Sequence, residues 1–434
     1  MDIASKFNNY FINIGPSLAE KIPSVPGTHL QYLKRNSNSI FIKPTSSEEV
    51  ISIANNLQVN KGSGFDDLSP KVVKGVIHML APVLTNIFNR SIEQGCFPDQ
   101  MKVAKVTPIY KSDDKLAVTN YRPISVLPVL SKILEKIMYL RLTEFITANQ
   151  LLSDKQYGFR ENHSTALALL DLTDKISRQI DEKKHSLGIF IDLSKAFDTL
   201  DHHILIRKLE YLGIRGLALQ WFESYLSNRT QFVNINKTAS ARLFIRCGVP
   251  QGSILGPLLF ILYINDITNV STDVYLIMFA DDTNIFLHDK DIQHLENKAN
   301  SELNKFSDWF KLNKLSINVK KTHYILFRSK LNKTATELKI AVNGTVIESC
   351  RSTKFLGVII NQHLTWSDHV SVLKLKVSKN LGVIKKIRHN LTSESLKSLY
   401  YALIYPYISY CNIVWAHHSS SVAELQILQK RQSA

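Results

Sequence analysis

The chain has 434 residues, of which 44% are hydrophobic and 21% charged, and this composition excludes wholesale disorder and fibrous repeats. At about 150 residues per domain, the length predicts roughly three domains or lobes. Lys and Arg total 53 against 37 Asp and Glu, a formal net charge of +16. Such a surplus favours nucleic acid or an anionic membrane as the partner. Because no apolar stretch approaches the roughly 20 residues that span a bilayer, we expect nucleic acid and no membrane.

The sequence also gives no indication of secretion. It does not open with a basic segment followed by an apolar one, so no signal peptide is predicted. The four cysteines, at positions 96, 247, 350 and 411, are spaced too widely for a zinc knuckle or a disulfide framework. We therefore expect reduced thiols and an intracellular protein, in nucleus and cytoplasm, without a clear targeting signal.

Hydrophobic periodicity predicts the secondary structure in chain order. The helix whose apolar residues run from 72 to 92 has the strongest signals, because Ser69 can cap its N-terminus, Pro70 fits its first turn and Gly95 follows it. The predicted helices cover residues 7–20, 72–92, 131–146, 164–180, 196–211, 221–226, 253–264, 294–310 and 369–390. The predicted strands cover residues 103–110, 187–193, 275–287 with an interruption at 280–282, 322–327 and 354–360, and residues 231–245 alternate like a hairpin arm. Strands alternating with helices favour an α/β or α+β sheet with helices on one face.

Nearly all of the net charge lies in the C-terminal part of the chain. Residues 311–434 hold 19 Lys and Arg against five acidic residues, a net charge of +14, and the first 310 residues hold the remaining +2. Within this part, apolar residues recur at helical spacing over 369–390, and Lys374, Lys385 and Lys386 lie on the other faces. A solvated charged face is the ordinary interpretation of one such helix. The concentration of charge around it favours a surface that follows phosphates.

Three acidic residues stand at the ends of apolar strands. Asp281 and Asp282 are adjacent and lie between two apolar runs, and Asp192 closes another apolar strand. Two like charges at a tight turn between buried strands are unfavourable unless a cation compensates them. Carboxylate oxygens are the ligands that Mg²⁺ prefers, and a pair of such ions suits transfer at phosphorus. The alternative is an ordinary hairpin turn at 281–282 and a helix cap at Asp192.

Six short blocks resemble conserved motifs of reverse transcriptases. Residues 279–282 (FADD), 192–198 (DLSKAFD) and 248–253 (GVPQGS) resemble motifs of the family's palm domain and nucleotide grip. Residues 120–125 (NYRPIS), 156–160 (QYGFR) and 355–357 (FLG) resemble blocks of the non-LTR retrotransposon group, of the jockey-like kind. The six blocks follow the family's order across roughly residues 61–360.

The resemblance implies an α+β fold, a right-hand polymerase with fingers, a palm built on an antiparallel sheet, and a helical thumb. It divides the chain into an N-terminal extension or linker at 1–60, fingers and palm at 61–360, and a basic helical thumb, expected to be truncated, at 361–434. It implies that Asp192, Asp281 and Asp282 are catalytic and hold two Mg²⁺ ions, or Mn²⁺, with the Leu193 backbone carbonyl as a further ligand. A primer 3′-hydroxyl then attacks the α-phosphate of a dNTP on an RNA template.

Six residues match family positions that contact the incoming nucleotide: Lys111, Arg122, Phe197, Gln251, Gly252 and Lys321. Arg122 suits a bidentate phosphate contact and Lys111 a point charge, although a solvated loop lysine is the alternative. A ring at Phe197 would collide with a ribose 2′-hydroxyl; its alternative is a core residue of helix 196–211. Gln251 would contact template or nucleotide, unless it only caps the next helix. Lys321 would protonate pyrophosphate.

The remaining matches concern the primer and template. Residues Phe355, Leu356 and Gly357 would form the turn that steadies the primer terminus, and the lysines at 374, 385 and 386 would contact phosphates. The implied partners are an RNA template, a DNA primer or target DNA, and dNTPs; the oligomeric state is not indicated. Complete elements of this kind carry an endonuclease before the polymerase, and the segment around Phe7 resembles the region just after it. We therefore expect a truncated copy or a partial gene model, without the endonuclease.

Two other functions compete with this one. A catalytically inactive remnant, acting only as a nucleic-acid-binding protein, would keep the basic helix but would not need the three acidic residues. An RNA-dependent RNA polymerase would share the paired aspartates but would carry a polar residue where Phe197 stands. Retention of the acidic residues disfavours the first alternative, and Phe197 disfavours the second.

Overall fold

The computed structural model describes residues 2–330 and 337–416, together with residues 422, 423, 425 and 427. Its helices are α1 Ile3–Ala19, α2 Ser47–Asn55, α3 Pro70–Glu93, α4 Val129–Ala148, α5 Thr165–Asp181, α6 Ala196–Thr199, α7 His202–Tyr211, α8 Leu217–Leu226, α9 Leu255–Ile264, α10 Ile292–Leu312, α11 Ser367–Ile387, α12 Ser393–Leu403, α13 Tyr405–Ser409 and α14 Asn412–Trp415. Its strands are β1 Val103–Tyr110, β2 Tyr121–Val126, β3 His185–Ile191, β4 Thr230–Ile235, β5 Thr238–Ala239, β6 Leu243–Phe244, β7 Tyr275–Phe279, β8 Asp282–Asp289, β9 His323–Phe327, β10 Ala341–Val342, β11 Thr345–Val346, β12 Glu348–Ser349, β13 Ser352–Phe355 and β14 Val358–Asn361.

The chain forms two compact units, each assembled from separated segments. The first runs up to Phe159 and adds Leu193–Ser271 and Lys305–Ile317. The second comprises Arg160–Asp192, Thr272–Asn304 and the residues from Asn318 onward. Each unit combines helices with a sheet, so the expected mixture of α and β structure is confirmed. The predicted boundaries at residues 60 and 360 stay predictions, and residues 417–421, 424, 426 and 428–434 of the predicted thumb lie outside the described residues.

The sheet of the first unit carries the N-terminal helix. Its strand order is β2-β1-β4-β5, with β6 also on β4; β1 runs antiparallel to β2 and parallel to β4. Phe7 and Phe11 of α1 pack in one cluster with Val106 and Val233 of the sheet. The buried side chain of Asn8 donates to the Ala241 carbonyl oxygen at 2.9 Å. Helix α1 therefore belongs to the core of this unit, and it begins four residues before the predicted start.

Helix α3 carries apolar residues on two faces. One face is buried, and the other exposes Val72, Val76, Met79, Val83 and Ile87. In the part of the chain that the structure describes, one helix, α3, is long and apolar enough to cross a membrane, judged by length and composition alone. One such helix is weak evidence, because core helices of proteins outside membranes pass the same test. The expected absence of a membrane partner stays a prediction.

The second unit is built on a five-stranded sheet in the order β12-β9-β3-β8-β7. Strand β3 lies between β9 and β8 and is antiparallel to both, and β7 is antiparallel to β8. Helix α5 packs on β3 and β7. The apolar face of α11 packs with α12 and α13 around Val377, Ile384 and Ile404, as the helical spacing predicted. A separate hairpin, β13–β14, packs against α11.

Two predicted elements are each divided in the structure. The prediction of a single helix at 196–211 is wrong. Leu200 leaves the helical conformation between α6 and α7, with ψ 118°, and Asp201 caps α7 by accepting from the Ile204 N–H at 2.9 Å. The single strand at 354–360 is also wrong, because a two-residue turn at Leu356 and Gly357 folds it into the hairpin β13–β14. Helix α2 and strand β2 were not predicted. The four cysteines are unpaired, as expected.

Candidate active site

Strand pairing brings the three acidic residues to one end of the second unit's sheet. The antiparallel register of β3 and β8 pairs Ile191 with Thr283, so the next residue, Asp192, follows directly opposite Asp282. The hairpin β7–β8 closes at the pair Phe279 and Asp282, and Asp281 lies in its turn. Two neighbouring strands and one hairpin turn therefore place three carboxylates close together.

The turn between β7 and β8 is conformationally strained. Ala280 has φ +56°, in the left-handed region that residues other than glycine rarely occupy. Strain of this kind persists where the surrounding structure enforces it, and it is concentrated at functional sites. The turn is thus a hairpin turn, as the ordinary interpretation predicted, but its conformation is uncommon.

The charges of the cluster oppose one another. Burial, together with the negative charges of Asp281 and Asp192, raises the pKa of the Asp282 carboxyl group to about 6. By surface area Asp282 is an exposed residue, so solvent screens part of this repulsion. The repulsion among the three carboxylates nevertheless destabilises the ionised cluster. A bound cation would offset this repulsion.

Asp282→Asn should stabilise the protein when divalent ions are absent. Because the folded-state pKa of about 6 lies above the ordinary value of 3.8, ionised Asp282 destabilises the folded state, fully above pH 6 and not at all below pH 3.8. After allowance for screening, we expect the variant to gain about 1 kcal/mol in the free energy of unfolding at pH 8 and less at pH 5. Urea unfolding in EDTA at both pH values measures this. A variant less stable than wild type at pH 8 would exclude the repulsion.

Asp192 is held by residues that follow α10. Its backbone carbonyl accepts from the Asn318 N–H at 2.8 Å, and its carboxylate accepts from the Asn318 side-chain amide at 2.9 Å. Its own N–H donates to the Thr322 hydroxyl at 3.3 Å. Asp192 does not cap a helix, since the N-cap position of α6 is Lys195. The motif at 318–322 was singled out for Lys321, so Asn318 and Thr322 were missed; their spacing of four residues beside Lys321 was the available signal.

In the polymerase that the resemblance implies, Asn318→Ala should impair activity through Asp192. It removes the hydrogen bond to the carboxylate and leaves the backbone contact, so we expect a fall of about tenfold in kcat with little change in the melting temperature. Single-nucleotide extension kinetics measure the change, with exposed Asn55→Ala of α2 as the matched control. Equal kcat for the two variants would show that Asn318 does not orient Asp192.

The donor set fits a hard divalent cation in its chemistry. Asp192, Asp281 and Asp282 offer only carboxylate oxygens, which suit Mg²⁺ or Mn²⁺. Within residues 2–330 and 337–416, no three His, Cys, Asp or Glu side chains are already placed as ligands of one ion. The Asn318 side-chain amide donates to one oxygen of the Asp192 carboxylate and so orients it. Leu193 is buried and bridges to Ile317 in the first unit, and its role as a ligand stays a prediction.

In the first unit, the loop at 248–253 is fitted closely to its neighbours. Gly252 has φ +133°, and a Cβ there would lie 2.3 Å from the Ser125 carbonyl oxygen, so only glycine fits. The Ser125 N–H donates to the Gln251 carbonyl oxygen at 2.8 Å. The Gln251 amide donates to the Asp198 carboxylate at 2.7 Å, and burial raises the pKa of that carboxyl group to about 6. Gln251 does not cap α9, whose first N–H groups donate to Glu135.

Phe197 lies on α6 in the same unit. Its ring stacks on Phe260 with ring centroids 4.3 Å apart and meets Phe159 edge-on at 6.2 Å. The residue is only partly buried. Phe197 therefore fits both predictions. It packs on core residues, as a core residue would, and part of its surface remains accessible to a nucleotide.

Lys111 and Arg122 lie where the loop between β1 and β2 joins the two strands. Arg122 pairs with Ile109, and the Lys111 N–H donates to the Asn120 carbonyl oxygen at 2.9 Å. Because alternate residues of paired strands share a face, this register brings Lys111 and Arg122 to the same face. Both residues are exposed. Two cations on one face can meet one polyphosphate.

The other predicted residues lie in the second unit. Lys321 is exposed in the turn after Asn318. Phe355 closes the β13–β14 hairpin, and Leu356 and Gly357 form its turn. On α11, Lys385 and Lys386 are exposed and Lys374 is partly buried. The structure thus groups the acidic residues, Lys321, the hairpin turn and the basic helix in one unit, and Lys111, Arg122, Phe197, Gln251 and Gly252 in the other.

Comparison with known proteins identifies the family. The profile of the family described as reverse transcriptase (RNA-dependent DNA polymerase) matches residues 109–360, more than half of the chain. The chain belongs to the reverse transcriptase family. The match contains the three acidic residues, the loop at 248–253 and the β13–β14 turn, so the resemblance found in the sequence is confirmed.

Individual proteins similar to this chain come from mobile elements. The chain is 28% identical over 406 residues to the RNA-directed DNA polymerase from mobile element jockey of Drosophila melanogaster, covering 91% of this chain and 44% of the relative. It is 26% identical over 379 residues to the jockey protein of Drosophila funebris, covering 85% of this chain and 41% of the relative. A third relative is the Pol polyprotein of the type-1 retrotransposable element R1 of Bradysia coprophila, at 26% identity over 377 residues, covering 85% of this chain and 37% of the relative. The chain spans less than half the length of these relatives.

Proposed function

We propose that the chain is the RNA-directed DNA polymerase of a non-LTR retrotransposon, folded as a right-hand polymerase. It extends a DNA primer 3′-hydroxyl with dNTPs on an RNA template. The observation that carries this proposal is the convergence of Asp192, Asp281 and Asp282 at one end of a sheet in a chain of the reverse transcriptase family. The jockey relatives, whose names describe RNA-directed DNA polymerases, support the choice of template and product.

The residues of the chain divide the work by their chemistry. Asp192, Asp281 and Asp282, with the Leu193 carbonyl, would hold two Mg²⁺ ions, which lower the pKa of the attacking hydroxyl and neutralise charge on the phosphates. Lys111 and Arg122 bind the triphosphate, and Gln251, oriented by Asp198, contacts nucleotide or template. Gly252 lets the loop at 248–253 lie close to the Ser125 carbonyl oxygen. Phe197 selects the sugar of the nucleotide, and Lys321 donates a proton to pyrophosphate. Phe355, Leu356 and Gly357 support the primer terminus.

The decisive experiment is primer extension by the purified chain. An RNA template with an annealed DNA primer, Mg²⁺ and dNTPs should give products longer than the primer, and rNTPs should give far less product. Tight binding of template–primer without extension would replace the proposal with the inactive, nucleic-acid-binding remnant. Extension with rNTPs in preference to dNTPs would replace it with an RNA polymerase.

The basic face of α11 should account for part of the salt dependence of binding. Each protein cation that neutralises a phosphate releases counterions, so Lys374→Gln, Lys385→Gln and Lys386→Gln together should reduce the slope of log K against log salt by about 2 to 3. Fluorescence anisotropy at several salt concentrations measures the slope. The control variant changes three exposed lysines elsewhere, Lys34, Lys71 and Lys290, to Gln. Equal slopes for both variants would exclude α11 as a specific phosphate contact.

A further inference from the structure

The residues of the turn between β13 and β14 do not favour the conformation that the turn adopts. Leu356 and Gly357 form a two-residue turn, and both have positive φ, +44° and +84°. Two-residue turns of this class prefer Asn-Gly or Gly-Gly, because a bulky residue in the left-handed region is strained. A leucine at the first position therefore indicates that contacts outside the turn hold it in place.

Tyr410 supplies such contacts at the tip of the turn. Its hydroxyl donates to the Leu356 carbonyl oxygen at 2.7 Å and lies 3.0 Å from the Thr165 hydroxyl at the start of α5. Its ring lies against Gly357, where an added Cβ would be 3.0 Å from a ring carbon. One side chain therefore fixes the carbonyl of one turn residue and covers the other.

Tyr410 is itself fixed by its surroundings. Its N–H donates to the Pro406 carbonyl oxygen at 3.1 Å, and its carbonyl accepts from the indole N–H of Trp415 at 2.9 Å. Trp415 is buried and packs edge-on against His369, with ring centroids 5.5 Å apart. The His369 Nδ1 accepts from the Ile359 N–H of β14 at 3.3 Å. The segment around Tyr410 is thus tied to the hairpin at its tip and along β14.

The other side of the hairpin is tied to the acidic end of the sheet. Phe355, buried at the end of β13, packs against Phe190 of β3 with ring centroids 5.8 Å apart. Two residues after Phe190, the chain reaches Asp192. A shift of the turn would therefore change its position relative to the acidic residues of the same unit.

We propose that Tyr410 is a positioning residue, which holds the β13–β14 turn in the conformation that presents the primer terminus to the acidic residues. The inference rests on the proposed function, in which this turn supports the primer. Tyr410 need not touch the nucleic acid, because it acts through the Leu356 carbonyl and Gly357. Its loss should weaken productive primer placement and leave nucleotide binding unchanged.

Single-nucleotide extension by Tyr410→Phe tests the proposal. The variant keeps the ring and removes the hydroxyl, so we expect the KM for template–primer to rise about fivefold, the effect typical of one lost hydrogen bond, with the KM for dNTP unchanged. Tyr405→Phe is the matched control, since Tyr405 is an exposed tyrosine of α13. Thr165→Val, which removes the second partner of the Tyr410 hydroxyl, should raise the same KM by a smaller factor.

Each result decides the proposal. The proposal is overturned if Tyr410→Phe matches Tyr405→Phe in kcat, in the KM for template–primer and in the KM for dNTP. Extension by wild type would still leave the proposed function intact. A fall in kcat and a rise in both KM values, together with a lower melting temperature, also overturns it, since that pattern reports general destabilisation. If wild type adds no nucleotide, the proposed function fails first and this inference falls with it.

Discussion

Asp282→Asn and Asp281→Ala should each lower the rate of nucleotide addition at least about a thousandfold, while template–primer affinity changes less than twofold. Both carboxylates lie at the β7–β8 turn, opposite the end of β3. In the proposed site, each change would remove one of the charged oxygen ligands that act together on the metal ions. Because Asp282→Asn also relieves repulsion, the loss of activity should come with no loss of stability. Rapid-quench kinetics and anisotropy measure the two quantities.

Asp289→Asn is the matched control for these variants. Asp289 is the last residue of β8, and Asp282 is the first, so the same chemical change is made at the opposite end of one strand. We expect nearly wild-type kinetics from this control. A thousandfold loss in Asp289→Asn as well, or activity above a tenth of wild type in Asp282→Asn, would show that the acidic cluster is not the centre of the chemistry.

Phe197→Val should increase the use of rNTPs relative to dNTPs by roughly a hundredfold. The partly accessible ring is expected to stand where a ribose 2′-hydroxyl would lie, and valine removes most of its volume. The variant also loses the stack on Phe260, so absolute rates with dNTPs should fall several-fold through the cavity that remains. The ratio of kcat/KM for rGTP and dGTP isolates the selectivity from this loss.

Phe197→Tyr provides the control for sugar selection. It keeps a ring of nearly the same size, so the ratio of rNTP to dNTP use should stay within a few-fold of wild type. If Phe197→Val retains the wild-type ratio, Phe197 is only a core residue, and another group excludes ribonucleotides.

The sequence predicted the acidic end of the sheet because its signals are local. The apolar runs on either side of residues 280–282 predict paired strands, and the short interval between them predicts a hairpin. The run at 187–193 predicts another buried strand that ends near Asp192. The strand β3 begins and ends two residues earlier than predicted, which leaves Asp192 just beyond it. Only the pairing of β7 with β8 follows from a short connection. The pairing of β3 with β8, which brings Asp192 to the hairpin turn, joins distant parts of the chain.

Contacts between distant residues could not be predicted in this way. Asn318 reaches Asp192 across 126 positions, and Gln251 reaches Asp198 across 53. Periodicity does not encode such partners, because a polar side chain in a turn or loop can satisfy its hydrogen bonds with solvent equally well. The break at Leu200 was missed for a related reason: the helical spacing continues across it, and the capping of a second helix by Asp201 outweighed that spacing.

Backbone strain in turns also could not be predicted from the sequence. Ala280 and Leu356 occupy the left-handed region, although neither residue type favours it. Local preference would place glycine or asparagine at these positions. Only the surrounding strands and the contact from Tyr410 explain how the chain accepts these conformations.

Binding of Mn²⁺, followed by electron paramagnetic resonance on the complex with template–primer and dNTP, tests the role of the acidic cluster most directly. Wild type and Asp289→Asn should bind two ions per chain, whereas Asp192→Asn and Asp282→Asn should lose at least one of them. Unchanged binding of both ions by Asp192→Asn and Asp282→Asn would contradict the assignment of the three carboxylates as the metal-holding centre of a polymerase.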